Sequence, residues 1–153
     1  MRIEQQVCSL ALAKRMKELG AKQESLFYWL EEKDNQPFLM NSGNTSKYGA
    51  IPSNYREDEG WNYYSAFTVA ELGEMLPARI TNESTRNMDR ICFYLKEHKG
   101  DDKKQDVRDG FTVEYHTIYS PPLYRITADT EADARAKMYI YLAENNLLKA
   151  EAK

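Results

Sequence analysis

With 153 residues, 42% of them hydrophobic and 29% charged, the chain has the size and composition of one globular domain with a core of its own. A formal charge of -3 excludes the overall basic excess that would mark a nucleic-acid or anionic-membrane binder, though a local basic pocket is compatible with it. No apolar run approaches the roughly 20 residues that a bilayer crossing needs, and no apolar stretch follows Arg2 as in a signal peptide. The two cysteines, Cys8 and Cys92, show neither metal nor redox spacing, which suits a reducing cytoplasm. The unusual figure is aromatic: 11 tyrosines, side chains that pack on one edge and hydrogen-bond at the other.

In chain order, Ser9 is placed to cap a first helix from about Leu10 to Leu19, closed by Gly20. Leu12, Met16 and Leu19 form its apolar stripe, with Ala13 beside them. Lys14, Arg15, Lys17 and Glu18 are expected to face water, and Lys17 also suits the C-terminal dipole. Leu26 to Leu30 is aromatic-rich and too short for a helix, so it reads as a strand; Phe38 to Met40 is its return strand in a hairpin. A polar tract from Asn41 to Gly60 follows. Loops of that length inside a compact domain are usually functional or disordered.

At mid-chain, Thr68 and Glu71 have the spacing of a capping box. Val69, Leu72, Met75 and Leu76 share one side of a helix of about two turns, and Pro77 ends it. Trp61, Tyr63 and Tyr64 lead into this helix, and Ala78 to Thr81 is expected to be extended. Alternation over residues 90–96 and 111–119 predicts a long hairpin, ended by Pro121-Pro122. Asp129 or Thr130 caps a last helix, about Glu131 to Glu144, with Ala134, Met138, Tyr141 and Leu142 as its buried stripe. Alanines 132, 134 and 136 let it lie close to a neighbour. Asn145-Asn146 can end it in left-handed geometry, Leu147-Leu148 fold back on the core, and residues 149–153 form a frayed tail. The sum is a single α+β domain over residues 1–153: three helices on one face of an antiparallel sheet of about four to five strands, in the order α-β-β-α-β-β-β-α.

Three blocks carry a resemblance. They are Cys8 to Gly20 with Lys22-Gln23-Glu24-Ser25, the stretch Tyr64 to Pro77, and Ala128 to Met138. Over about a third of the chain, they resemble a family of small tailed-phage and prophage proteins for which no activity is assigned. The resemblance implies a setting rather than a chemistry: an accessory protein that acts in the cytoplasm of a bacterial host, commonly by neutralising a defence protein or a nucleotide-derived immune signal. Residues 35–61 lie outside the matching blocks.

Catalytic and metal constellations are weak. His98 and His116 lie at opposite ends of the predicted hairpin, and no close-spaced ligand pair supports zinc. His116 beside Glu114 is more naturally a solvent-facing strand residue than a general base. No nucleophile elbow, P-loop or dinucleotide fingerprint is present, and Glu57-Asp58-Glu59 and Asp101-Asp102 read as solvated runs without calcium-loop spacing. No cofactor and no metal is expected.

The remaining candidate is aromatic and basic. Tyr28 and Trp29 occupy opposite faces of the first strand; Lys47, Tyr48 and Arg56 lie in the long polar tract; Trp61 and Tyr64 precede the central helix. Aromatic rings can stack a base while Lys and Arg hold phosphate oxygens, and Arg79 could join them. Singly, each aromatic is more often a packing residue. The expected function is non-enzymatic: a binding protein that sequesters a small anionic, nucleotide-derived immune signal. The alternatives are a module that inhibits a host defence protein by direct contact and, as a minor reading, a metal-independent hydrolase using His116. The expected partners are thus a small anionic ligand or a host protein, with neither nucleic acid nor membrane, and an aromatic-rich sheet could also supply a homo-oligomer interface.

Overall fold

The computed structural model describes residues 2–33, 35–41, 60–80, 91–98, 110–117 and 124–148, with backbone alone for 91–98, 116 and 117. The first helix, α1, spans Leu10–Glu18. Ser9 precedes it in extended geometry but makes no side-chain cap; instead its backbone N–H donates to Asp133 Oδ1 at 2.7 Å, so a distant helix holds the start of this one. Its end is as read from the sequence. Gly20 takes a φ of +84°, and the Gly20 and Ala21 N–H groups turn back to the Lys17 and Met16 carbonyls, the double bond of a Schellman motif.

The next elements are β1 (Phe27–Glu32), β2 (Phe38–Asn41) and β3 (Trp61–Ser65), which make one antiparallel sheet ordered β2-β1-β3. Trp61, Tyr63 and Tyr64 are therefore strand residues, not the lead-in to a helix. The central helix α2 follows as Val69–Met75. Both halves of its capping box are present: Thr68 Oγ1 accepts the Glu71 N–H at 3.2 Å, and Glu71 Oε2 accepts the Thr68 N–H at 2.7 Å. The same carboxylate also accepts from Ser25 Oγ at 3.0 Å and, through Oε1, from the Leu26 N–H at 3.0 Å, which ties α2 to the start of β1.

A second antiparallel sheet, ordered β4-β5-β6, consists of β4 (Ile91–His98), β5 (Gly110–Thr117) and β6 (Tyr124–Ala128). The long hairpin expected over 90–119 is present as β4 and β5 in register. Two expectations are corrected. The described strands number six in two sheets, not four or five in one, because every described pairing joins strands that are close in sequence. The strand expected from residue 78 does not form at 78–80; the Pro77 carbonyl is taken by the Tyr115 hydroxyl at 2.6 Å, and Ile80 packs into the core instead. The order, α-β-β-β-α-β-β-β-α, thus gains a third strand before α2 and takes β6 in place of the strand expected after it.

The last helix, α3, spans Glu131–Glu144. Thr130 Oγ1 caps it by accepting the Asp133 N–H, and Asn146 at φ 56° ends it in a second Schellman motif. It is buried on two sides. Ala134, Met138 and Leu142 pack with Val113 and Tyr115 of β5, with Leu147 and Leu148 folded against the same cluster. Ala132 and Ala136 pack with Cys8, Met16, Phe67 and Leu72. One methyl group per position lets α1 and α2 approach on that side. At Gly73 of α2 the Arg135 guanidinium of α3 lies against the bare backbone: a Cβ there would stand 2.6 Å from Arg135 Nη1, and this flexible end would have to shift.

Burial in the second core raises the Cys8 thiol from its ordinary 9.0 to about 12. The unfolded chain releases that proton from about pH 9, whereas the folded chain keeps it up to about 12, so the folded state binds more protons in this window. Stability is then complete below the unfolded value and falls as the pH rises, by about 1.4 kcal/mol per pH unit. Urea midpoints should be nearly level up to about pH 8.5 and then drop towards about pH 10 for the wild type, and much less for Cys8→Ala; equal slopes would show that the thiol is not the cause.

Candidate functional site

Cross-strand register sorts the predicted aromatics. Trp29 stands directly opposite Tyr64, and Tyr28 opposite Ser65, with Leu30 opposite Tyr63 and Glu32 opposite Trp61. Directly opposed residues share a face and neighbours alternate. Trp29, Glu31 and Tyr64 therefore occupy the face on which α1 lies, while Tyr28, Trp61 and Tyr63 occupy the other. The described aromatics of the predicted set thus divide between the two faces of the sheet.

Two of them are structural. Tyr28 is 1% exposed, and its hydroxyl is satisfied by the Ser25 N–H at 3.2 Å and the Gln23 carbonyl at 3.3 Å. Trp29 donates its indole N–H to the Cys8 carbonyl at 2.9 Å and packs against the α1–α2 core, pinning the N-terminal segment to the sheet. Trp61 is half-buried and meets Phe38 edge to face at 6.1 Å. Arg79 is exposed just beyond α2, whose seven residues separate it from the capped end by about 10 Å. Lys47, Tyr48 and Arg56 lie outside the described residues, as do the side chain of His116 and the carboxylate runs at 57–59 and 101–102.

Around Tyr64 the structure builds something the sequence reading missed. Lys14 and Lys17, one turn apart on α1, are not simply solvated. The Lys14 ammonium lies 5.3 Å from the Tyr64 ring centroid, and that of Lys17 lies 5.2 Å from the same ring and 4.3 Å from the Tyr63 ring. Lys17 also donates to the Tyr63 carbonyl at 3.0 Å, at the outer edge of β3. Each such contact contributes on the order of 0.5–1 kcal/mol at a partly exposed site. The rings present ammonium groups; on the Tyr64 side they are not arranged to stack a base.

Glu31 completes the cluster. Its two carboxylate oxygens lie 2.7 and 2.8 Å from Lys14 Nζ, and the Tyr64 hydroxyl stands at 3.5 Å, a long contact. The Glu31 hydrogen bond raises the Lys14 ammonium above its ordinary value. Burial raises the Tyr64 phenol, while Lys14 pulls it the other way. All of these side chains are half-buried, so solvent reaches them. The Lys14 and Lys17 ammonium groups and the Glu31 carboxylate are thus gathered around one ring, with Glu18 also acting on it through space. The spacing of Lys14 and Lys17 at i, i+3 was legible; that a strand would come to lie beneath them was not.

Elsewhere, an open groove of about 450 Å³ runs between α2 and α3, past Thr68 and Gly73. Its charged groups, Glu131 and Arg135, are already paired with each other at 2.8 Å. Among the described residues no three His, Cys, Asp or Glu side chains gather as metal ligands, and no helix is long and apolar enough to cross a membrane. Comparison with models of protein families, with curated proteins and with solved structures gives no match.

Proposed function

We propose that this is a non-enzymatic binding protein that sequesters a small phosphate-bearing, nucleotide-derived ligand at the outer edge of β3. The observation that carries the reading is the pair of ammonium groups held over Tyr63 and Tyr64 by α1. Lysines positioned in this way suit phosphate oxygens as point charges. Trp61, on the Tyr63 face two residues along the same strand, is the side chain suited to the base. The setting proposed with it is the phage one: an accessory protein that removes an immune signal in the cytoplasm of a bacterial host. Sequestration calls for retention rather than bond chemistry, and the cluster supplies charge and aromatic surface for that.

The test is thermal unfolding with a panel of linear and cyclic nucleotides, alongside native mass spectrometry of the purified protein. A ligand at a thousandfold excess over Kd stabilises the folded state by about 4 kcal/mol. Lys17→Ala should weaken the best binder by at least about tenfold, and Trp61→Ala should do the same, with unchanged far-UV circular dichroism. A clean mass and no stabilisation by any nucleotide would overturn the reading. A second reading, direct inhibition of a host defence protein, is favoured by the exposure of Leu26 and Phe38, at 56% and 41%. Its mark would be a stable complex with one host protein that Leu26→Asp or Phe38→Asp abolishes and nucleotides leave untouched.

A further inference from the structure

Among the described strands, β3 ends the first sheet, which is ordered β2-β1-β3. The Ala66 N–H donates to the Phe27 carbonyl at 2.8 Å, so alternate residues 62, 64 and 66 turn their backbone groups toward β1. Tyr63 and Ser65, between them, turn theirs outward. At those two residues the edge is closed by side chains. Lys17 Nζ donates to the Tyr63 carbonyl at 3.0 Å, and the Ser65 N–H donates to Gln23 Oε1 at 2.9 Å. Gln23 is held at its other end too, donating from Nε2 to the Ala21 carbonyl at 2.9 Å. The buried Cys8 thiol lies 3.9 Å from the Ser65 carbonyl. Two residues on, backbone takes over: the Cys8 N–H donates to the Phe67 carbonyl at 2.9 Å, beside the bridge between Val7 and Thr68.

The strand closed in this way is one that would pair readily. Trp61-Asn62-Tyr63-Tyr64-Ser65 has no charge, no proline and no glycine, and three of its five residues are aromatic. An outward row of unpaired N–H and C=O groups on such a strand is a template for another chain. Its own copy suits it first, because two identical strands can pair antiparallel about a twofold axis, each offering the other the same groups. We infer that Lys17 and Gln23 keep the outer edge of β3 from pairing with a second copy of this protein. The ammonium contributes twice. It occupies the Tyr63 carbonyl, and pairing centred on Tyr63 would bring two Lys17 charges to one edge. This role needs no ligand.

The experiment is size exclusion with light scattering over a concentration series of the whole protein. It compares the wild type, the double variant Lys17→Met with Gln23→Met, and that double variant carrying Tyr63→Pro as well. Methionine keeps the length of both side chains and removes the groups that hold the edge, while proline at 63 removes an outward N–H and leaves the β1 side intact. The double variant should associate at least about tenfold more readily than the wild type, and Tyr63→Pro should reverse this. Far-UV circular dichroism checks folding. A double variant no more associated than the wild type would overturn the inference, as would association that survives Tyr63→Pro. If the double variant does not fold, hydrogen exchange of Gln23→Met alone decides: the Ser65 amide should exchange at least about tenfold faster than in the wild type, and an unchanged rate would mean that Gln23 does not hold this edge.

Discussion

Glu71→Ala is expected to lower the unfolding free energy by about 3 kcal/mol, far more than an ordinary helix-cap substitution. The reason is the number of donors that converge on one carboxylate. Glu71 accepts from the Thr68 N–H and hydroxyl at 2.7 and 2.8 Å, from Ser25 Oγ at 3.0 Å and from the Leu26 N–H at 3.0 Å. Ser25 is only 5% exposed, and when Glu71 is removed its hydroxyl is left with the longer contact to the Ala66 carbonyl at 3.3 Å. Glu71→Gln should recover little, with a loss of about 2 kcal/mol, because whichever end carries the amide nitrogen then faces a donor. Thr68→Ala removes only the cap itself and should cost about 1 kcal/mol. Urea titration of the three variants gives the comparison. Equal losses for Glu71→Ala and Thr68→Ala would mean that the tie to β1 contributes nothing.

The largest single loss is expected at Tyr115, where alanine should cost about 4 kcal/mol. Tyr115 is fully buried in the middle strand of the second sheet, against Ala134 and Met138 of α3, and burial raises its phenol well above the ordinary range. Its hydroxyl also closes α2 from a distance by donating to the Pro77 carbonyl at 2.6 Å. Tyr115→Phe keeps the ring and separates the two contributions: about 1 kcal/mol is expected, the net value of one hydrogen bond with its acceptor near the surface. If the phenylalanine variant loses as much as the alanine variant, the link to Pro77 outweighs the packing. If both lose less than about 1 kcal/mol, Tyr115 is not the centre of that core.

Helices were the legible part of this sequence because their signals are local. Thr68 with Glu71, Gly20 after Leu19 and Asn146 after Asn145 each act within a few residues, and each stands where spacing placed it. Strands were legible only where alternation ran long, as in β4 and β5. In β3 the five residues Trp61 to Ser65 are too few and too uniformly aromatic or polar to show a period, and β6 begins two residues after Pro122 with Tyr124. Exposure also failed to alternate along β5: Thr112 and Glu114 are as buried as Val113 and Tyr115, with Thr112 hydrogen-bonded to Thr127 and Glu114 paired with Arg125 across the sheet. The aromatic candidates were legible as a set and not as a site. Which face each ring takes depends on register, and Lys14 meets Tyr64 only because α1 and β3, about 50 residues apart, pack together.

The position of α3 also governs how the chain can acquire this structure. Ser9 waits on Asp133 and Arg15 on Glu144, partners separated by 124 and 129 residues in sequence. The first hairpin and α2 can form early from nearby contacts, and Trp29 and Tyr64 pack against the α1–α2 cluster, yet that cluster is complete only once residues 131–144 bring Ala132 and Ala136 to it. Closing so long a loop comes before its contacts can repay the entropy, which slows folding relative to chains of local topology. During synthesis from the ribosome, Met16, Phe67 and Leu72 would have only part of their cover until the last helix emerges, and that interval is when the chain is most open to chaperones and to aggregation.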